Sequence, residues 1–127
     1  MLNYFFVACG GALGSVARYV VGSQMTRTFG PGWPYGTFTV NLVGGLCMGL
    51  LAGFLAHRGG ADQERWRVLL GVGVLGGFTT FSAFSLETAL MIERRELGTA
   101  ALYGAASVGL SVLALFAGLL IARRAFL

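Results

Sequence analysis

Four apolar runs, residues 2–23, 37–56, 68–92 and 97–122, occupy almost all of this 127-residue chain. Each is long enough for a helix to cross a bilayer core, which takes ~20 residues for about 30 Å. Only 11% of the residues are charged and 56% are hydrophobic, too few polar groups to cover a soluble domain. Lipid is therefore the solvent for most of the surface. The expected fold is an all-α membrane protein with one four-helix transmembrane domain over residues 1–127. Its helices are expected near 2–23, 37–56, 65–92 and 97–122, with no soluble appendage. No basic residue precedes the first run and no cleavage site follows it, so it reads as a retained helix and not a signal peptide.

The formal charge of +4 comes from nine arginines that form no patch, which excludes nucleic acid as the partner. Most lie at the ends of the runs, where membrane helices are commonly flanked by basic residues. Cys9 and Cys47 fall inside hydrophobic runs and read as small packed hydrophobes, not as a disulfide or metal pair. The connection "TRTFGPGWPYG" (26–36) holds two helix-ending prolines and a Trp and Tyr suited to the headgroup region. "HRGGADQERWR" (57–67) is the most polar stretch; it puts His57 at a membrane edge and Asp62 where it could cap the third helix. "ERRELG" (93–98) allows only a turn between antiparallel helices.

Four crossings place Arg58, Arg65, Arg67, Arg123 and Arg124 on one side and Arg27, Arg94 and Arg95 on the other. This bias is weak for a rule that needs a clear excess. One fixed orientation, and insertion both ways with antiparallel pairing, are both open on this count. Four short helices leave little room for a lined pathway within one copy, so an oligomer is expected. Glycines at four-residue spacing supply surfaces for close helix contact: Gly10, Gly14 and Gly22 in the first run, and Gly45, Gly49 and Gly53 in the second.

The polar residues inside the runs carry the functional signal. Asn41 lies in the second run, and Tyr103, Ser107 and Ser111 share one face of the fourth at four-residue spacing. The third run contains "GGFTTFSAF" (76–84), a poor continuation of a helix, with Thr79, Thr80, Ser82 and Ser85 clustered there. Unwinding at Gly76–Gly77 would free carbonyls, which transport proteins use for cations. Arg18 lies near enough to the end of the first run to snorkel, and Glu87 either does the same or pairs with an arginine. The inventory is rich in hydrogen-bond donors and lacks the acidic pair or chain that proton-coupled transport needs. Donors without carboxylates suit a desolvated anion. Phe81 and Phe84 could add the electropositive rims of their rings, and Arg18 at a mouth would add attraction. The reading from residues alone is a small-ion pathway with anion character.

The blocks "GGALGSVARY" (10–19), "GTFTVNLVGG" (36–45) and "GGFTTFSAFSLE" (76–87) resemble those of the Fluc (CrcB) family of fluoride channels, in order and over essentially the whole chain. The resemblance implies an antiparallel, dual-topology homodimer of four-helix subunits with a broken third helix and two pores. It implies passive export of fluoride across the inner membrane of a prokaryote, with no enzyme activity. It also implies a structural sodium ion on the dimer axis, held by the carbonyls of Gly76 and Thr79 from both copies. Phe81 and Phe84 would present ring edges to fluoride. Asn41 would be the pore amide, Tyr103, Ser107 and Ser111 would continue the polar track, and Thr80 and Ser82 would adjoin it. Arg18 would face the vestibule, and Glu87 would stand near the pathway. The family more often reads "FSTF" where this chain has Ala83, which removes one hydroxyl beside the pathway.

Two other readings compete. A proton-coupled multidrug exporter of four short helices would need a glutamate in its first helix, where this chain has Arg18 and no acid. An assembly subunit of a larger complex would explain the glycines but not the clustered Asn and hydroxyls.

Overall fold

The computed structural model describes residues 2–58 and 60–126. Among these residues the fold is entirely helical, and four stretches are long and apolar enough to cross a membrane. Two are continuous helices, α1 (Leu2–Phe29) and α2 (Tyr35–Arg58). The third, Gly60–Glu93, is assembled from a 3-10 turn (Gly60–Asp62), α3 (Gln63–Trp66), a π-helical stretch (Arg67–Leu75), α4 (Gly76–Phe78) and α5 (Phe81–Glu93). The last is α6 (Leu97–Phe126). The position of the His57 side chain lies outside the described residues.

The most extensive packing joins α2 to α6, followed by α1 against the π-helical stretch and α4. Both seams depend on missing side chains. A methyl at Gly45 would stand 2.8 Å from the Ser111 carbonyl oxygen, and Gly49 and Gly53 meet α6 just as closely. On the other seam, a methyl at Gly10 would stand 2.6 Å from the Leu69 carbonyl oxygen, with Gly14 against Val74. Gly22 instead admits α2, since a methyl on Gly36 would be 2.8 Å from its Cα. Both glycine ladders are therefore used within one copy. Close backbone approach is what lets helices bind each other in lipid, where apolar burial gives no net drive.

The connections are short and conformationally fixed. Gly30 closes α1 with a left-handed φ of 84°, and its N–H bonds to the Thr26 carbonyl at 2.9 Å. Tyr35 N–H reaches the Trp33 carbonyl at 2.8 Å, so the chain reverses within a few residues. Between α5 and α6, Arg95 adopts φ 60° beside an Arg94–Glu96 ion pair at 3.4 Å. Asp62 precedes α3 but makes no capping bond with its side chain. Its φ −94°, ψ 10° belong to the 3-10 turn, not to the extended backbone that lets a cap side chain fold back.

Little of the chain is fully buried within one copy. A small cluster of Met91, Ala100 and Tyr103 packs with Trp33, Phe38 and Phe84 at the end of the molecule where α1 joins α2. Large apolar side chains on every crossing stay exposed, among them Leu13, Val16, Phe81, Leu113 and Phe116. Cys9 is exposed and Cys47 half-buried, both as free thiols.

Candidate functional site

The irregular geometry in the third crossing falls at Thr79 and Thr80. Gly76 is helical, with φ −62° and ψ −38°, whereas Thr79 has ψ 159° and Thr80 has φ −151°, ψ 124°. The expectation of unwinding at Gly76–Gly77 is thus displaced toward α5. β-Branched residues tolerate extended backbone better than helix, and threonine can also replace the lost bonds. Thr79 Oγ1 donates to the Leu75 carbonyl at 2.9 Å, and Thr80 Oγ1 accepts from Ala83 N–H at 3.1 Å as the N-cap of α5.

Asn41, on α2, holds the extended residue from the side. Its Oδ1 accepts from Thr80 N–H at 2.9 Å, and its Nδ2 donates to the Thr80 carbonyl at 3.1 Å. One carboxamide thus satisfies both backbone groups of Thr80. In a continuous helix Thr80 N–H would serve the Gly76 carbonyl, and Ala83 N–H would serve the Thr79 carbonyl. Both donors are diverted here, to Asn41 and to Thr80 Oγ1.

Beside this lock lies a cavity of about 350 Å³ bounded by Asn41, Thr80, Phe81, Phe84, Ser107 and Ser111. Ser107 and Ser111 line it, and along the same face of α6 Tyr103 Oη, Ser107 Oγ and Ser111 Oγ are buried without a hydrogen-bond partner among the described residues. Buried hydroxyls are normally bonded, and an unbonded one costs about 1–3 kcal/mol. Three in register on one helix face are free to bond a polar guest. The Phe81 and Phe84 rings lie 5.7 Å apart at 43°, and Phe84 lies 5.1 Å from Tyr103. Phe84 is half-buried, but Phe81 is 77% exposed in the single copy. Ser82 is exposed, and its hydroxyl lies 3.3 Å from Thr80 Oγ1.

A second, wider cavity of about 720 Å³ opens toward the α1–α2 connection, with Arg18, Arg27, Arg94, Thr37 and Glu87 on its walls. Thr80 borders both cavities, so the lock stands between them. Arg18 turns toward the third crossing. α1 runs on to Phe29, which leaves Arg18 well inside the helix, and its Nε donates to the Gly77 carbonyl at 3.3 Å. Glu87 has no arginine partner among the described ion pairs; its Oε1 accepts from the Thr37 hydroxyl at 2.5 Å. Thr37 is the participant that sequence reasoning missed. It stands one helical turn before Asn41, and that spacing places both on one face of α2.

A family model described as "CrcB-like protein, Camphor Resistance (CrcB)" matches residues 5–119. The chain belongs to the CrcB family. Its similarity to individual members runs nearly end to end. A "Fluoride-specific ion channel FluC" of Caulobacter sp. (strain K31) is 72% identical over 126 residues, covering 99% of this chain and 98% of the relative. One of the same name from Phenylobacterium zucineum (strain HLK1) is 69% identical, with 99% of each chain covered. The "Fluoride-specific ion channel FluC 2" of Nitrobacter hamburgensis (strain DSM 10229 / NCIMB 13809 / X14) is 53% identical over 122 residues, covering 96% and 98%. The CrcB match takes in every residue of the lock, both phenylalanines and the α6 hydroxyls. This chain is a multi-pass protein of the bacterial inner membrane, as its crossings and its CrcB relatives together require.

Proposed function

We propose that the protein is a fluoride-selective channel that passively exports cytoplasmic fluoride. The names of its full-length relatives support the ion, and the α6 hydroxyl ladder supports the route. Fluoride is a small, hard anion that sheds water only for strong donors. The unpartnered hydroxyls of Tyr103, Ser107 and Ser111, with the second Nδ2 hydrogen of Asn41, supply them. The rims of Phe81 and Phe84 add weak positive potential where no water competes. Arg18, Arg27 and Arg94 around the wider cavity attract the anion to its mouth. No catalytic chemistry is required. Hydrogen fluoride enters neutral through lipid and dissociates inside, and a potential of 100 mV, inside negative, favours anion exit by about 2.3 kcal/mol.

The working unit is an antiparallel homodimer with two pores. The exposed Phe81 ring supports this, since a pore residue open to lipid would bound nothing until a second copy covers it. In this reading the third crossing is a helix broken at Thr79–Thr80. The carbonyls of Gly76 and Thr79, freed of their helical donors, form with those of the partner a set of neutral oxygens suited to a hard cation. A sodium ion held there supplies fixed positive charge that joins the two copies.

Purified protein in liposomes should release fluoride, and hardly any chloride, under a potassium gradient with valinomycin. Absence of fluoride efflux from well-folded protein would sink the channel reading, and a drug-dependent proton flux would put an exporter in its place. For the cation, dimer stability in detergent should fall when sodium is replaced by N-methylglucamine. An identical melting profile in both salts argues against a sodium site.

A further inference from the structure

We propose that Trp33, in the connection between α1 and α2, is a positioning residue for the ion pathway: its indole sets the orientation of Tyr103 and, through Tyr103, of Phe84. The inference rests on the channel reading above and assigns to that pathway a residue outside the smaller cavity.

Tyr103 is fully buried, yet its hydroxyl makes no hydrogen bond of good geometry among the described residues. The nearby Thr37 hydroxyl is committed to Glu87 and gives the phenol at most a weak contact, so ring packing carries much of what fixes its tilt. Two rings contact it. Trp33 meets it edge-on, with centroids 5.1 Å apart at 80°, and Phe84 lies 5.1 Å away at 46°. Edge-to-face pairs are directional as well as apolar, so the indole defines an angle and not merely a boundary.

Trp33 is itself held firmly. Phe38 packs edge-on against it at 5.3 Å, and Tyr35 lies tilted against it at 5.2 Å. Its carbonyl is tied to Tyr35 N–H within the short reversal. A tryptophan serving only as a headgroup anchor would lie open to the interface, as Trp66 does at 47% exposure. Trp33 is half-buried and turned inward, with one side on the wide cavity and an edge on the phenol. It transmits the fixed geometry of the connection to the first hydroxyl of the ladder.

A transport double-mutant cycle tests this. Loss of one edge-on ring contact should cut fluoride efflux about threefold to tenfold in Trp33→Leu. Trp33→Phe, which keeps an aromatic edge, should recover most of that loss. Trp66→Leu should leave efflux unchanged. In a Tyr103→Leu background, which has neither a hydroxyl to orient nor a ring to pass the angle to Phe84, Trp33→Leu should produce little further loss, because the two changes act on one coupled element. Losses that multiply, failure of Trp33→Phe to rescue, or wild-type efflux in Trp33→Leu would each overturn the inference while wild type still conducts. A wild-type protein without fluoride efflux would instead remove the channel reading, and this inference with it.

Discussion

Replacing Asn41 by Leu is expected to abolish fluoride efflux and to lower the thermal stability of the protein in detergent. The leucine has similar bulk, so the effect isolates the carboxamide. Two hydrogen bonds disappear together, from Thr80 N–H at 2.9 Å and to the Thr80 carbonyl at 3.1 Å. Neither group can recover a helical partner while Thr79 and Thr80 stay extended. A buried backbone group left unsatisfied costs about 1–3 kcal/mol, and these two are only part-buried, so the combined loss is about 1–3 kcal/mol. The chain has one local escape, which is to wind Thr80 back into helix so that its N–H returns to the Gly76 carbonyl. That would close the cavity wall at Thr80 and remove the carbonyl set assigned to the cation. Melting in detergent and efflux from liposomes should therefore fail together. A variant with native melting and native efflux would show that the lock is not needed.

Phe84→Ile is expected to depress efflux strongly while the protein remains folded and dimeric. The side chain borders the smaller cavity and touches both Phe81 and Tyr103, so in the proposed channel it stands where a donor-bound anion passes. Isoleucine retains much of the apolar volume but has no ring quadrupole. A desolvated anion would lose an electropositive edge and gain only aliphatic surface. If the edge contributes ~1.4 kcal/mol at the highest point of the path, efflux falls about tenfold. The companion Phe81→Ile acts at the exposed ring that the proposed second copy would cover, and it should show the same direction. Liposome efflux normalised to dimer content measures both, and unchanged flux in the pair would remove the ring-edge argument.

The contrast between these two sites shows how much of the pathway was legible beforehand. Tyr103, Ser107 and Ser111 could be placed on one helix face from spacing alone, since 3.6 residues per turn aligns every fourth position on a continuous helix. Their lack of partners could not, because it depends on what α2 and α5 present opposite them. Asn41 was legible as a costly polar residue in an apolar run, but its bond to Thr80 joins residues far apart in the chain. Arg18 shows where hydropathy stops short. Hydropathy ended the first run at residue 23, which suggested a snorkelling side chain. The helix continues to Phe29, and the guanidinium turns inward to a carbonyl of the third crossing.

By itself the sequence determined the number of crossings, their order and the positions that carry polar chemistry. These follow from hydrophobic length and helical period, which are properties of local segments. The family blocks, also local, identified the lineage. Only the tertiary structure decided that the glycine ladders are consumed inside one copy and that the extended residues are Thr79 and Thr80. It likewise decided that Thr37 meets Glu87 and that Trp33 reaches Tyr103. Each of these depends on which backbone groups approach across helices, and in lipid that is set by packing shape and hydrogen-bond satisfaction, not by the hydrophobic pattern that placed the helices.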